Sequence, residues 1–129
     1  MRLWHEKLLP VLPQKQLCGQ WRECIALIGN GWGKKHSTVD YIFSHNVNYL
    51  ISFTLRVYRE MVRRGYKPNE DLIFQALSKR IISPRAVCFL VASGKIFEEC
   101  IFTGYVYIEH NDDYLLECIE NLKKKGIEI

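Results

Sequence analysis

No apolar run in these 129 residues reaches the ~18–20 that a membrane-spanning helix requires. The opening carries Arg2, His5, Glu6 and Lys7, with no leader-type apolar stretch or cleavage site. Cysteine occurs five times, an odd number, and never in C-x-x-C spacing, which argues against a disulfide scaffold or a dithiol redox centre. Cys18, Cys24 and Cys118 fall in helical apolar stripes and are expected in the core. The histidines, His5, His36, His45 and His110, form neither H-E-x-x-H nor a Cys/His zinc spacing. The loop GNGWGKKHS is not a phosphate-cradling Walker loop, because its spacing fails at both ends. There is no internal repeat and no linker. One domain over 1–129 is expected, cytoplasmic and with reduced thiols, and no metal or organic cofactor is expected of it. Its 48% hydrophobic and 25% charged composition is ordinary globular. A domain of this length buries roughly two-thirds of its unfolded surface, enough for its own core.

Charge is unevenly spread. Residues 1–68 carry 11 Lys and Arg against 4 Asp and Glu, whereas residues 69–129 carry 7 against 10. The first part is therefore +7 and the second −3, so a polyanion would bind the first. A solvated charged face gives the same numbers.

Periodicity predicts a mainly helical chain. A first helix is expected over 14–28, with Leu17, Trp21, Cys24, Ile25 and Ile28 as its apolar stripe and Pro13 at its first position. Gly29-Asn30-Gly31 stops it. Residues 37–45 read as partly extended, because Val39, Tyr41 and Phe43 alternate. A second helix should span 48–64, with Leu50, Phe53, Val57 and Met61 inward, and Leu55, Tyr58 and Val62 widening the stripe. Gly65 suits its C-terminal cap. Asn69 caps a third helix over 70–81. The stretches 86–92 and 100–108 read as two short strands, a small β-hairpin, although runs this short fit helix too. Asn111 caps a last helix that buries Tyr114, Leu115, Cys118, Ile119 and Leu122, with lysines 123 to 125 in its last turn. The expected architecture is a compact fold of about four helices with room for that one hairpin.

The chain's start is unusual. Leu3, Trp4, Leu8 and Leu9 give it enough apolar surface to be pinned to a core, whereas most chain ends fray. A pinned α-amine has an unperturbed pKa of only about 7.7–8.0, so part of it is neutral and nucleophilic near pH 7. On the first helix Gln16, Gln20 and Glu23 form a second, polar stripe, flanked by Arg22 and Gly19. An adjacent guanidinium is expected to keep Glu23 ionised. Lys34 and Lys35 with Trp32 form a basic, aromatic loop suited to a phosphate and a stacked base. Each of these residues also fits a plain structural role: a tucked-in end, a surface ion pair, a core tryptophan. His5 and His36 lie nearest these features, and a satisfied or solvated histidine is expected at each.

The run LPQKQLCGQWREC, followed by GNGWGKKHSTVDYIFSH and REMVRRGY, resembles the pyrimidine-dimer DNA glycosylase family of the phage endonuclease V type. It resembles more closely a bacterial branch whose members begin MRLWH and end in a segment like EHNDDYLLECIENLKKKGI. The phage enzyme itself is matched mainly over Leu17 to Glu23. The resemblance implies a DNA repair glycosylase with AP-lyase activity on damaged double-stranded DNA. In that chemistry an amino-terminal α-amine attacks C1′ of the sugar and forms an imine, and a glutamate supports this step and the later β-elimination. Carried over, Met1 supplies the amine and Glu23 the carboxylate, and Arg22 contacts phosphate or lesion. Arg2, Gln16, Trp32, Lys34 and Lys35 complete the expected DNA contacts of a monomer.

Two departures bear on this. The phage enzyme has a small second residue and loses its initiator methionine, whereas Arg2 here should leave Met1 in place. Its phosphate-binding arginine is replaced by Ala26. A non-catalytic nucleic-acid-binding module of the same fold therefore stays open beside the enzyme, as does a helical interaction protein.

Overall fold

A computed structural model describes residues 2–29, 31–33, 39–45, 47–78 and 107–128, without the side chains of 48, 70, 74, 77 and 78. The described residues form α1 (Gln14–Ile28), α2 (Val47–Arg63), α3 (Glu70–Ser78) and α4 (Asp112–Lys124), with 3₁₀ helices at Glu6–Val11 and Asp40–Ser44. No strand occurs among them. The two expected strands fall almost wholly outside the described residues. The second does not extend to its expected end, since residues 107–109 form a bend and turn in which the His110 N–H bonds the Tyr107 carbonyl at 3.0 Å.

The helices form where their apolar periods lie. In α1, Leu17, Trp21, Cys24, Leu27 and Ile28 are buried and Ile25 is partly so. Pro13 stands one residue earlier than expected, as the N-cap, with extended backbone (φ −57°, ψ 154°) and its carbonyl accepting from the Leu17 N–H at 3.0 Å. In α2 the expected stripe of Leu50, Phe53, Val57 and Met61 is buried together with Leu55. Val62 does not widen it, being 48% exposed. Each fully buried side chain of this size contributes about 1.5–3 kcal/mol. Cutting Phe53 to alanine in this core should cost about 3–5 kcal/mol.

Two helices end alike. The N–H of Gly65 bonds Val62 and that of Tyr66 bonds Met61, both at 2.9 Å. Gly126 bonds Lys123 at 2.9 Å, and Ile127 bonds Leu122 at 3.0 Å. Both glycines are left-handed, with φ of +86° and +79°, as this closure requires. Asn69 and Asn111 cap α3 and α4 as expected, accepting from the N–H groups of Asp71 and Tyr114.

Residues 40–44 depart from expectation. They form a 3₁₀ helix, not an extended segment. Val39 and Ile42 are the buried pair, three residues apart as that geometry demands. The alternation of Val39, Tyr41 and Phe43 was too short to decide the period.

The 3₁₀ helices and α1 lie against α2, and α3 lies against α1. The chain's start is pinned as its apolar residues predict. Leu3, Trp4, Leu8, Leu9 and Leu12 are all buried in the common core. α4 holds it from outside. The Tyr114 hydroxyl donates to the Leu3 carbonyl, and Arg2 pairs with Glu117 at 3.3 Å.

Candidate active site

The chain's start, α1 and α4 meet around a cleft of about 400 Å³, within the usual size range of small-ligand sites. α1 supplies Lys15, Gln16, Gly19, Arg22 and Glu23. The start adds Arg2 and Trp4, α4 adds Asn121, and Lys125 joins them as the residue that caps the end of α4. Positions 15, 19, 22 and 23 share one helical face, so a single side of α1 builds one wall. Gly19 keeps that wall low: a methyl group there would first meet Arg22 Nη2, at 3.9 Å.

Four cations, Arg2, Lys15, Arg22 and Lys125, thus surround a single carboxylate, Glu23. Arg2 is held by Glu117 and by the Tyr114 face, 5.8 Å from the ring centroid. Lys125 Nζ lies 5.2 Å over the Trp4 ring. The Glu23 Oε2 accepts from Gln20 Nε2 at 3.4 Å.

Burial pushes the Glu23 carboxyl above the usual carboxylate range, and nearby positive groups, Lys125 and Arg22 among them, only partly oppose this. The adjacent guanidinium acts in the expected direction, favouring the ionised form, but burial is the larger influence. Desolvation outweighs the guanidinium because Arg22 is itself exposed and its field is screened by water.

Of the residues singled out in the sequence, Arg2, Gln16, Arg22 and Glu23 come together. Met1, Lys34, Lys35 and His36 lie outside the described residues. Trp32 is not in the cleft lining; it is half-buried and meets Phe43 edge-on at 5.1 Å. Lys15, Asn121 and Lys125 were missed. Lys15 was legible, since it stands two turns before Glu23 on the same face. Asn121 and Lys125 arrive by tertiary contact across most of the chain.

A second cluster of ionisable groups is sealed. His110 is fully buried, with Nδ1 2.6 Å from Glu6 Oε1 and Nε2 against the Tyr41 hydroxyl. Tyr114 stacks on its ring at 4.7 Å. His5, also fully buried, accepts from the Lys7 N–H at 3.1 Å. Burial pushes the hydroxyls of Tyr41, Tyr107 and Tyr114 upward. It raises the Cys24 thiol to about 12, which makes it inert at neutral pH. Among the described residues no group of three His, Cys, Asp or Glu can hold a metal ion, and no helix is long and apolar enough to cross a membrane.

A family model described as pyrimidine dimer DNA glycosylase matches residues 1–74, more than half of the chain. The chain belongs to the pyrimidine dimer DNA glycosylase family. Comparisons with curated proteins and with solved structures return no match. The glycosylase match takes in the chain's start, α1 and α2, and so the cleft wall that bears Arg22 and Glu23. Asn121 and Lys125 lie beyond it.

Proposed function

We propose that the cleft is the active site of a DNA glycosylase with AP-lyase activity on pyrimidine dimers or related damaged bases in duplex DNA. The observation that carries this reading is one half-buried carboxylate, Glu23, among four cations directly beside the chain's start. The cations suit the phosphates that flank a damaged nucleotide. Arg2 lines the cleft, and the α-amine of Met1 is one residue away along the chain.

In this mechanism the neutral α-amine attacks C1′, the C1′–base bond breaks, and the base leaves with the electron pair. Loss of the amine proton and opening of the sugar ring give a protonated imine. Glu23 then takes the C2′ proton, the electrons move toward C3′, and the 3′ phosphate departs. A carboxyl raised by burial is better matched to this proton transfer than an ordinary exposed one.

Borohydride trapping on abasic DNA tests the reading. The intact protein should become covalently joined to the DNA, and a protein acetylated only at the α-amine should not. An acetylated protein that still traps would move the nucleophile to a lysine, with Lys15 and Lys125 of the cleft as the first suspects. No trapping by the intact protein, with salt-sensitive DNA binding retained, would leave a binding module of the same fold.

A further inference from the structure

We infer that Gln20 is a positioning residue of this cleft, whose amide ties the backbone of Trp4 to the Glu23 carboxylate and so fixes the chain's start relative to that carboxylate. The inference rests on the reading of Glu23 as the proton-accepting group.

Gln20 belongs to the polar stripe of α1, yet it is only 1% exposed. A buried amide is unfavourable unless its hydrogen-bonding capacity is used. Both of its ends have a partner. The Trp4 N–H donates to Oε1 at 2.7 Å, and Nε2 donates to Glu23 Oε2 at 3.4 Å. The first bond decides the orientation of the amide, because only its oxygen can accept from an N–H. The NH₂ group is therefore turned toward Glu23. The second bond is long, as catalytic hydrogen bonds often are before substrate tightens them. Trp4 stands two residues from Arg2, which enters the cleft, so one side chain spans from the chain's start to the carboxylate. A leucine or methionine would fill this space equally well but could make neither bond.

The test compares the full chain with Gln20→Asn, Gln20→Glu and Glu23→Gln on abasic duplex DNA. It reads DNA affinity, trapped imine and strand cleavage in single turnovers across pH. The ratio of cleavage to trapped imine isolates proton abstraction at C2′ from titration of the amine. Asparagine keeps an amide but is one methylene too short to reach both partners. Gln20→Asn should lower trapping and cleavage about tenfold while leaving affinity within about twofold, a change in rate rather than uniform binding. Gln20→Glu keeps the acceptor for Trp4 but sets a like charge against Glu23. It should trap nearly as well as the parent, while the acid limb of the ratio moves upward by about one pH unit. A shifted limb shows that position 20 faces the carboxylate that abstracts the proton, and a glutamine that only filled space would leave the rates of Gln20→Asn at the parent level. Parent-like rates in Gln20→Asn, or an unmoved limb in Gln20→Glu, overturn the inference while an inactive Glu23→Gln keeps the site reading. A fully active Glu23→Gln overturns both.

Discussion

Glu6 lies within the chain's start and Glu23 in the cleft beside it, and the fold treats them in opposite ways. Glu6 is 7% exposed, closed under the first 3₁₀ helix against His110 and His5. Glu23 is half-buried in a cleft with more positive charge than it can neutralise. A carboxylate whose partners are supplied by the protein serves the fold. One left among surplus cations, with its pKa raised, suits a ligand that brings negative charge, as the proposed reading of Glu23 requires. Sequence position does not distinguish the two; what surrounds each does.

Substitution at each glutamate should separate these roles. Glu23→Gln should reduce strand cleavage on the order of 10²–10⁴-fold, the usual loss for a general base, with DNA affinity retained in a binding titration. Glu6→Ala should do the converse. Breaking its buried pair with His110 should cost about 3–5 kcal/mol in urea unfolding, while molecules that remain folded trap abasic DNA at the parent rate. Equal loss of cleavage at constant stability in both variants would erase the contrast.

A smaller effect concerns the surplus cations. Arg22→Ala and Lys125→Ala should each lower the slope of log affinity against log salt by about 0.9, the value for one phosphate contact. A slope unchanged in Lys125→Ala would remove Lys125 from the phosphate contacts.

The smallest effect is on stability, and its sign is opposite for two groups. The folded Glu23 carboxyl titrates above its ordinary value, so the fold gains stability as pH falls through that raised value, and the gain is complete below 4.5. At neutral pH Glu23→Gln should thus be slightly more stable than the parent, by less than about 1 kcal/mol once solvent screening is allowed for. Burial lowers the His5 pKa below its ordinary 6.5. Its contribution is therefore complete above 6.5 and is lost as pH drops through the lowered folded value. Thermal midpoints of parent and Glu23→Gln between pH 4 and 8 check both signs. A midpoint that falls in Glu23→Gln at pH 7 would contradict a strained carboxylate.

How far all this could be read from residues alone differs by element. α1 and α2 were legible because four or five apolar residues repeat at helical spacing over several turns, and glycine closes both. Residues 40–44 were not, since five residues hold too little period to separate alternation from a 3₁₀ turn. Arg22 and Glu23 were legible through motif, and Lys15 through the shared face of α1. Lys125 was not, because its partner surface, Trp4, is set by packing between opposite parts of the chain. The buried state of Gln20 was likewise hidden. A glutamine in a polar stripe reads as solvent-facing until a neighbouring segment covers it.

The contact between Arg2 and Glu117 spans 115 positions. Loop-closure entropy grows with that separation, and contacts of this kind form late in folding. α1 needs only neighbouring residues to form, so Glu23 stands on its helix early, without the cleft. Arg2 and Lys125 join it only when α4 docks on the chain's start. On a growing polypeptide the positive cleft therefore has no existence until Lys125 has been made. A nascent chain that ends before α4 carries three of the four cations, Arg2, Lys15 and Arg22, but lacks the wall that completes the cleft.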